Sequence, residues 1–496
     1  MVLAVFGGLS GCMTKTPDIY IDRENETARN AAAFFHVLDK AVCREGKTNA
    51  LGSRVKGFPY LRTNRFFTGL KFHLNTPAQQ REWVAHMQAY DLGARISEIR
   101  TLSGGAVKAV LRDSGLKETD GRDGLVKAMK TFSTALLEAD QTDPDFYDVL
   151  IKTVASPDEY SSGLRVMGLY PLAYGPVLYF TKKSYERMAE QHKKDPSELK
   201  VRGRLVRFAP QTGNVRNRDD IRAIFSRTQK DSLGIYAFRG RDLLQLAKYF
   251  APVYIQDTAG RTDHPGTLTW NDEGRVAVNE TAHGVYYYFT YALVHGSPVL
   301  QINYVNWYPE RSGPSVPWYE KGRLDGFNFR VTLDSSGDPM VIDIVHNCGC
   351  YHFLVPGKAR VHSVNPSATE TGNQVPAWIP SGFPEKRIAL RISSGWHQIQ
   401  HIGLDTEKEA DAVYELLPYQ TLEALPSGPD SHESIFDEKG IVKGTGRLEV
   451  LFLFPAGVPD IGAMRQRTRQ PTRLIGKEHF DNPQMLETYF DFTPQP

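Results

Sequence analysis

Four side chains able to bind a metal or carry redox chemistry fall at alternate positions of one run, His346-Asn347-Cys348-Gly349-Cys350-Tyr351-His352. In an extended segment alternate residues share a face, so His346, Cys348, Cys350 and His352 are expected to project the same way. Two imidazoles and two thiols on one edge make a soft-metal site, with zinc or copper as the implied ion, or a redox pair. A straight strand advances about 3.3 Å per residue, which separates His346 from His352 by roughly 20 Å. One ion cannot take all four unless the chain bends at Gly349. Two or three of them completed from elsewhere make the more economical site, and His397, four residues before His401, supplies the further imidazole. The HxxxH spacing of that pair lacks the glutamate of a metalloprotease helix.

Acid–base chemistry has its own candidates. Glu310 follows Trp307-Tyr308-Pro309, an apolar setting that raises a carboxyl pKa toward general-base use. An ion pair with Arg311 or Arg330 is the competing reading. Asp325 and Asp343 lie on either side of the Phe327–Leu333 segment, and His479 stands two residues from Asp481 as a base with an orienting partner. A GxSxG elbow and a glycine-rich phosphate loop are both missing.

The elements that must position these groups read as α+β. Apolar spacing predicts helices over 24–44, 76–92, 104–112, 122–140 and 143–153, so residues 24–160 form a mainly helical region. Ser156-Pro157-Asp158 marks the seam, and 182–200 reads as a charged surface helix or arm. Residues 161–496 read as a β-rich α+β body, mostly antiparallel. Its helices are expected at 219–227 and 240–249. Its strands are expected at 201–208, 252–256, 285–294, 298–308, 327–333, 340–346, 350–355, 386–393, 397–403 and 446–454. Asp334-Ser335-Ser336-Gly337-Asp338-Pro339 is a hairpin turn that sets the LDGFNFR strand beside the strand entering the Cys/His run.

With 496 residues the chain exceeds one ordinary core, and 59 basic against 57 acidic residues give no electrostatic reason to expect nucleic acid or anionic lipid as the main partner. Beyond the first residues no apolar run reaches the ~18–20 needed to span a bilayer. Residues 1–12, MVLAVFGGLSGC, end in Leu-Ser-Gly-Cys and resemble the lipobox of bacterial lipoproteins, although no Lys or Arg precedes the apolar run. The resemblance implies cleavage before Cys12, a lipid such as palmitate on that cysteine, and residues 13–23 as a tether. Export would place Cys43, Cys348 and Cys350 where disulfides form. Three thiols then leave either a bond from Cys43 to one of the other two, or a Cys348/Cys350 pair held by metal or by its own bond.

PYLRTNRF, QINYVNWYPER, LDGFNFRVTLD, HNCGCYH, GAMRQ and GKEHFD together resemble a group of bacterial lipoproteins with no assigned activity, over most of the chain from about residue 50. That resemblance implies the cell envelope, periplasm- or surface-facing, and no mechanism. Two expectations follow. One is a lipid-anchored binding or scaffolding module. The alternative is a metal-dependent, zinc-type hydrolase around Cys348 and Cys350.

Overall fold

The computed structural model describes residues 25–211, 217–370, 373–407 and 409–493. Cys12, the 1–12 segment and the 13–23 tether lie outside the described residues.

The N-terminal helices form where the sequence places their signals. Asn25 caps α1 (Glu26–Arg44) by accepting from the Thr27 amide. Thr76 and Gln79 make a reciprocal capping box for α2 (Pro77–Thr101), with proline at the first turn. α3 (Gly104–Asp113), α4 (Gly121–Asp140) and α5 (Phe146–Thr153) complete the layer. Their apolar faces meet in one core that includes Phe34, Phe35, Trp83, Met87, Leu125 and Leu136. An ionic network crosses this layer: Arg95 bonds Asp91 at 2.7 Å and Asp39 at 2.7 Å, and Arg62 bonds Glu98 at 3.0 Å. Burial opposes ionisation of Glu98, yet Arg54, Arg62 and Arg95 hold its carboxyl down at about 2.

Helix continues past the expected seam, through α6 (Ser162–Met167) and α7 (Tyr170–His192). Of the 182–200 region read as a charged arm, 182–192 is the second half of α7 and the rest lies beyond its end, and the Val177–Phe180 segment before it lies inside the same helix.

The body is built on one ten-stranded sheet. Its strands are β1 (Arg204–Pro210), β2 (Val253–Thr258), β3 (Gly284–Val294), β4 (Ser297–Val305), β7 (Phe327–Leu333), β8 (Pro339–His346), β9 (Phe353–Pro356), β10 (Ile388–Ile392), β11 (Ile399–Leu404) and β12 (Ala412–Pro418). A separate ribbon pairs β5 (Tyr308–Arg311) with β6 (Gly322–Asp325). The sheet order is β9-β8-β7-β4-β3-β12-β1-β2-β10-β11. Most pairs are antiparallel, but β12 runs parallel to both β1 and β3, and β10 runs parallel to β2. The fold is α+β, with helices toward the N-terminus and a mixed, mostly antiparallel sheet behind them.

Strand alternation explains the two faces of this sheet. Phe327, Phe329, Val331 and Leu333 of β7 join Ile302, Tyr304, Ile342 and Ile344 in a core closed by α8 (Arg218–Arg227) and α9 (Gly240–Phe250). The residues between them point the other way and are polar yet buried. Thr290, Gln301 and Thr332 hydrogen-bond across three strands, as do Asn328 and Asn303, and Arg330 pairs with Asp343 directly opposite. The 334–339 turn forms as expected, with Asp334 accepting from the Ser336 and Asp338 amides.

One strand expectation fails. Residues 446–454 do not extend; Val450–Leu453 forms a short helix. Glu449 at its start is buried while Leu451 and Phe452 face outward, opposite to the sense that apolar alternation implied.

Candidate functional site

β5 follows β4 and β6 precedes β7, so the ribbon prolongs the β4–β7 pair beyond the end of the sheet. The Asn306 carboxamide oxygen accepts from the Phe327 amide and braces that junction. Arg311 pairs across the ribbon with Gly322, and Tyr308 with Asp325. Their side chains organise a buried polar centre. The Arg311 guanidinium forks onto Asp325, with Nη2 to Oδ1 at 2.8 Å and Nε to Oδ2 at 3.0 Å. Its Nη1 reaches Glu320 Oε2 at 3.1 Å, and Nη2 also donates to His346 Nδ1 at 2.8 Å.

Glu320 comes from the 312–321 loop and is held there by Trp396 Nε1 at 2.9 Å and by the Tyr351 hydroxyl at 3.0 Å. His397 sits between two carboxylates, donating from Nδ1 to Asp325 at 2.8 Å, with Nε2 3.4 Å from Asp263. Its ring stacks on Tyr308 at 3.9 Å with 4° between the planes. Burial works against a charge on His397, but Asp263 and Asp325 outweigh it and raise the imidazole above its ordinary value. His346 shows the reverse. Burial is the main cause, the Arg311 charge adds to it, and the ring is pushed down to about 4, so it stays neutral and accepts from Arg311. Two imidazoles beside one carboxylate are thus shifted in opposite directions.

The thiols lie at the end of β8. The chain bends sharply at Gly349, whose φ is 98°. The bend is closed by the Gly349 amide on the His346 carbonyl at 2.7 Å and by the His346 amide on the Cys350 carbonyl at 3.0 Å. The Cys350 amide points at Cys348 Sγ, 3.4 Å away. Cys348 is only 3% exposed, and Cys350 is half-buried. The two share a proton unequally. Hydrogen bonding from Cys350, helped by the Arg311 charge, brings the Cys348 thiol down to about 7, while the Cys350 thiol is pushed up. Arg447 and Arg465 belong to the same electrostatic neighbourhood. Among the described residues, buried Arg447 Nε and Nη1, Arg465 Nε and His346 Nε2 have no hydrogen-bond partner. Glu449 closes the centre, and burial together with Cys348 and Glu320 pushes its carboxyl up to about 8.

This geometry redistributes the sequence candidates. The bend at Gly349 breaks strand alternation, so the four residues of the Cys/His run do not share a face. His346 turns to Arg311 and Asp325. His352 turns to the far side, donating from Nε2 to Asp343 at 3.2 Å beside Arg330, whose guanidinium lies over the Phe480 ring. Among the described residues, His346, Cys348, Cys350, His352 and His397 do not converge on a three-ligand metal site. The grouping that does form is Glu82, His86 and Asp231, with ligand atoms within 4.8 Å of one another. It is partly exposed and joins α2 to the body through a His86–Asp231 contact of 2.6 Å.

Cys348 and Cys350 are both free, so neither is bonded to Cys43 on α1 or to the other. Asp325 stands at the middle of the centre, bound as an anion by Arg311 and His397, which suits positioning better than proton transfer. Glu310 is half-exposed opposite Arg323, outside the centre, and the arginines proposed for it are taken by Asp325 and Asp343. His479 is not oriented by Asp481. Its Nε2 accepts from the Glu159 amide at 3.2 Å, and burial keeps the ring neutral, with a value near 3. Asp481 instead binds Arg65 at 2.9 Å. His401 lies on β11, opposite Arg391.

Sequence reasoning missed Arg311, Glu320, Asp263, Arg447, Glu449 and Arg465. The Arg311-to-Asp325 step across a ribbon carried a faint signal, since both flank a proline- and glycine-rich loop. The others come together only through long-range packing. Comparison of the chain with known protein families, curated proteins and solved structures gives no match.

Proposed function

We propose that this chain is a lipid-anchored binding module of the bacterial envelope that engages its partner by thiol–disulfide exchange at Cys348-Gly349-Cys350. The observation that carries this reading is the pair of free thiols set in one tight turn beside Arg311, with Cys348 the more acidic and Cys350 the more accessible. Thiolate character and access are what exchange requires, and here they are divided between two sulfurs able to pass a proton.

In the proposed step Cys350 gives its proton to the Cys348 thiolate and attacks a partner disulfide. A Cys350–partner bond forms, the partner S–S bond breaks, and the departing thiolate takes up the proton from Cys348. Cys348, again a thiolate, then attacks Cys350 Sγ and releases the second partner sulfur as a thiolate that solvent protonates, leaving a Cys348–Cys350 disulfide. Two electrons pass to the partner. Arg311 steadies the anionic sulfur during this sequence. The diverging imidazoles give no comparable support to a zinc-type hydrolase.

The test is incubation of the native full chain with oxidised glutathione, followed by mass analysis. The wild type should lose two hydrogens at Cys348 and Cys350, and Cys348→Ser should accumulate one glutathione adduct on Cys350. Thiols that react only after unfolding would refute the proposal.

A further inference from the structure

Helices α6 and α7 leave an apolar surface that the rest of the chain does not cover. Sixteen consecutive residues, Val166 to Thr181, carry no charge. Helical spacing divides α7 into two stripes. Tyr170, Ala173 and Val177 turn inward to meet Pro455, Ala456 and Leu474, with Tyr174 exposed at the edge of that contact. Further along the same face, Tyr185 and His192 pack against Phe353, and Met188 is buried beside them. The opposite stripe repeats at i, i+7 and i+8 and points away from the protein. It holds Leu172, Tyr179 and Phe180. With Val166, Met167 and Leu169 from α6 and the connecting turn, these six side chains are 60–76% exposed. The short helix Val450–Leu453 leads into the Phe454–Ala456 turn against which both helices pack, and it presents Leu451 and Phe452 as well. Isolated apolar side chains are ordinary on a surface; a contiguous set of this size marks an interaction site.

We infer that this face lies in the headgroup layer of an anionic membrane, with α7 parallel to the surface. Charge and aromatic placement favour lipid over a protein partner. Beyond Leu172, Tyr179 and Phe180 the outward stripe continues with the exposed Lys183, Glu186 and Arg187, so two cations against one anion stand at the edge of the apolar patch where phosphates lie. Lys183 Nζ is 6.0 Å from the Tyr179 ring centroid, a stem laid along the patch with its charge at the rim. Along α7 there are three basic side chains, Lys182, Lys183 and Arg187, against two acidic ones, Glu186 and Glu190. The described residues contain no helix long and apolar enough to cross a bilayer, and an amphipathic helix with this arrangement rests in the interface instead. The inference does not depend on acylation of Cys12, and the experiment removes that anchor.

Full-length Cys12→Ala protein is mixed with vesicles of phosphatidylcholine alone or with one quarter phosphatidylglycerol, and the bound fraction is measured by sedimentation. Binding to the anionic vesicles is expected, weakening as salt is raised. Leu172→Asp/Phe180→Asp should reduce it at least tenfold with the thermal unfolding midpoint unchanged, since both positions are exposed. Lys183→Glu/Arg187→Glu should abolish the preference for anionic vesicles. The inference is overturned if the Cys12→Ala protein stays in the supernatant with both vesicle types, or if the Asp variant binds as well as its parent. It is equally overturned if the Asp substitutions convert a dimer to a monomer without altering vesicle binding, which would make the face a contact between copies.

Discussion

Arg311 serves three acceptors at once, and that sets the consequences of changing it. Replacing it with Met leaves Asp325 and Glu320 buried without their cation. Breaking a buried ion pair from one side typically costs about 3–5 kcal/mol, so urea unfolding of Arg311→Met should show a loss of that order. Arg311→Lys should recover part of it, because a point charge cannot fork onto Asp325. Glu449 sets a pH dependence of unusual sign. Its carboxyl is pushed up to about 8 from 4.5, so between those values the folded protein holds a proton that the unfolded chain has released. Stability from this group is therefore present below about 4.5 and lost as pH rises toward 8. Glu449→Gln should flatten that decline, by at most a few kcal/mol at about 1.4 kcal/mol per pKa unit. Glu98 works in the opposite direction. Its carboxyl is held down at about 2, so its contribution is full above 4.5 and disappears as acid approaches 2. Denaturant melts across pH 2–9 for wild type, Glu449→Gln and Glu98→Gln would separate the two.

The turn between β8 and β9 is the element on which the thiols depend. Gly349 has a φ of 98°, and a Cβ there would overlap the Pro471 carbonyl oxygen. Gly349→Ala should destabilise by about 1–3 kcal/mol for backbone strain and more for the overlap, and it should speed alkylation of Cys348 as the turn loosens. Calorimetry and timed iodoacetamide labelling measure both. Most elements could be read in the chain because their signals are local. Thr76, Pro77 and Gln79 announce α2, and the alternation from Phe327 to Leu333 announces β7 and its two faces. The Cys/His run could not be read correctly, because two residues with positive φ, Gly349 and Tyr351, reversed the side on which His352 emerges. The 446–454 segment looked like a strand for a related reason. Its alternating apolar residues lie on a short helix whose buried side chain is Glu449, and the Cys348, Glu320 and Arg311 groups beside that carboxyl are far away in sequence. The same distance concealed the centre, which gathers residues from Asp263 to Arg465.

At the scale of the molecule, the last part of the chain ties the two layers together. Arg467 binds Glu423 at 2.9 Å, Gln466 donates to Asn49 at 2.8 Å, and Arg469 reaches the Ala50 carbonyl at 2.8 Å and Glu159 at 2.8 Å. Leu233, Ile235 and Leu293 of the body complete the core of the helical layer. The two layers should consequently melt together. Far-ultraviolet dichroism, dominated by the helices, and near-ultraviolet dichroism, dominated by aromatic side chains of the sheet, should give coincident thermal transitions, whereas two separated midpoints would contradict it. These ties also bear on the order of synthesis. The helices are made first, yet Asn49, Ala50 and Arg65 wait for partners among residues 465–481. The seam between the two layers therefore closes only when nearly the whole length of the chain has been released.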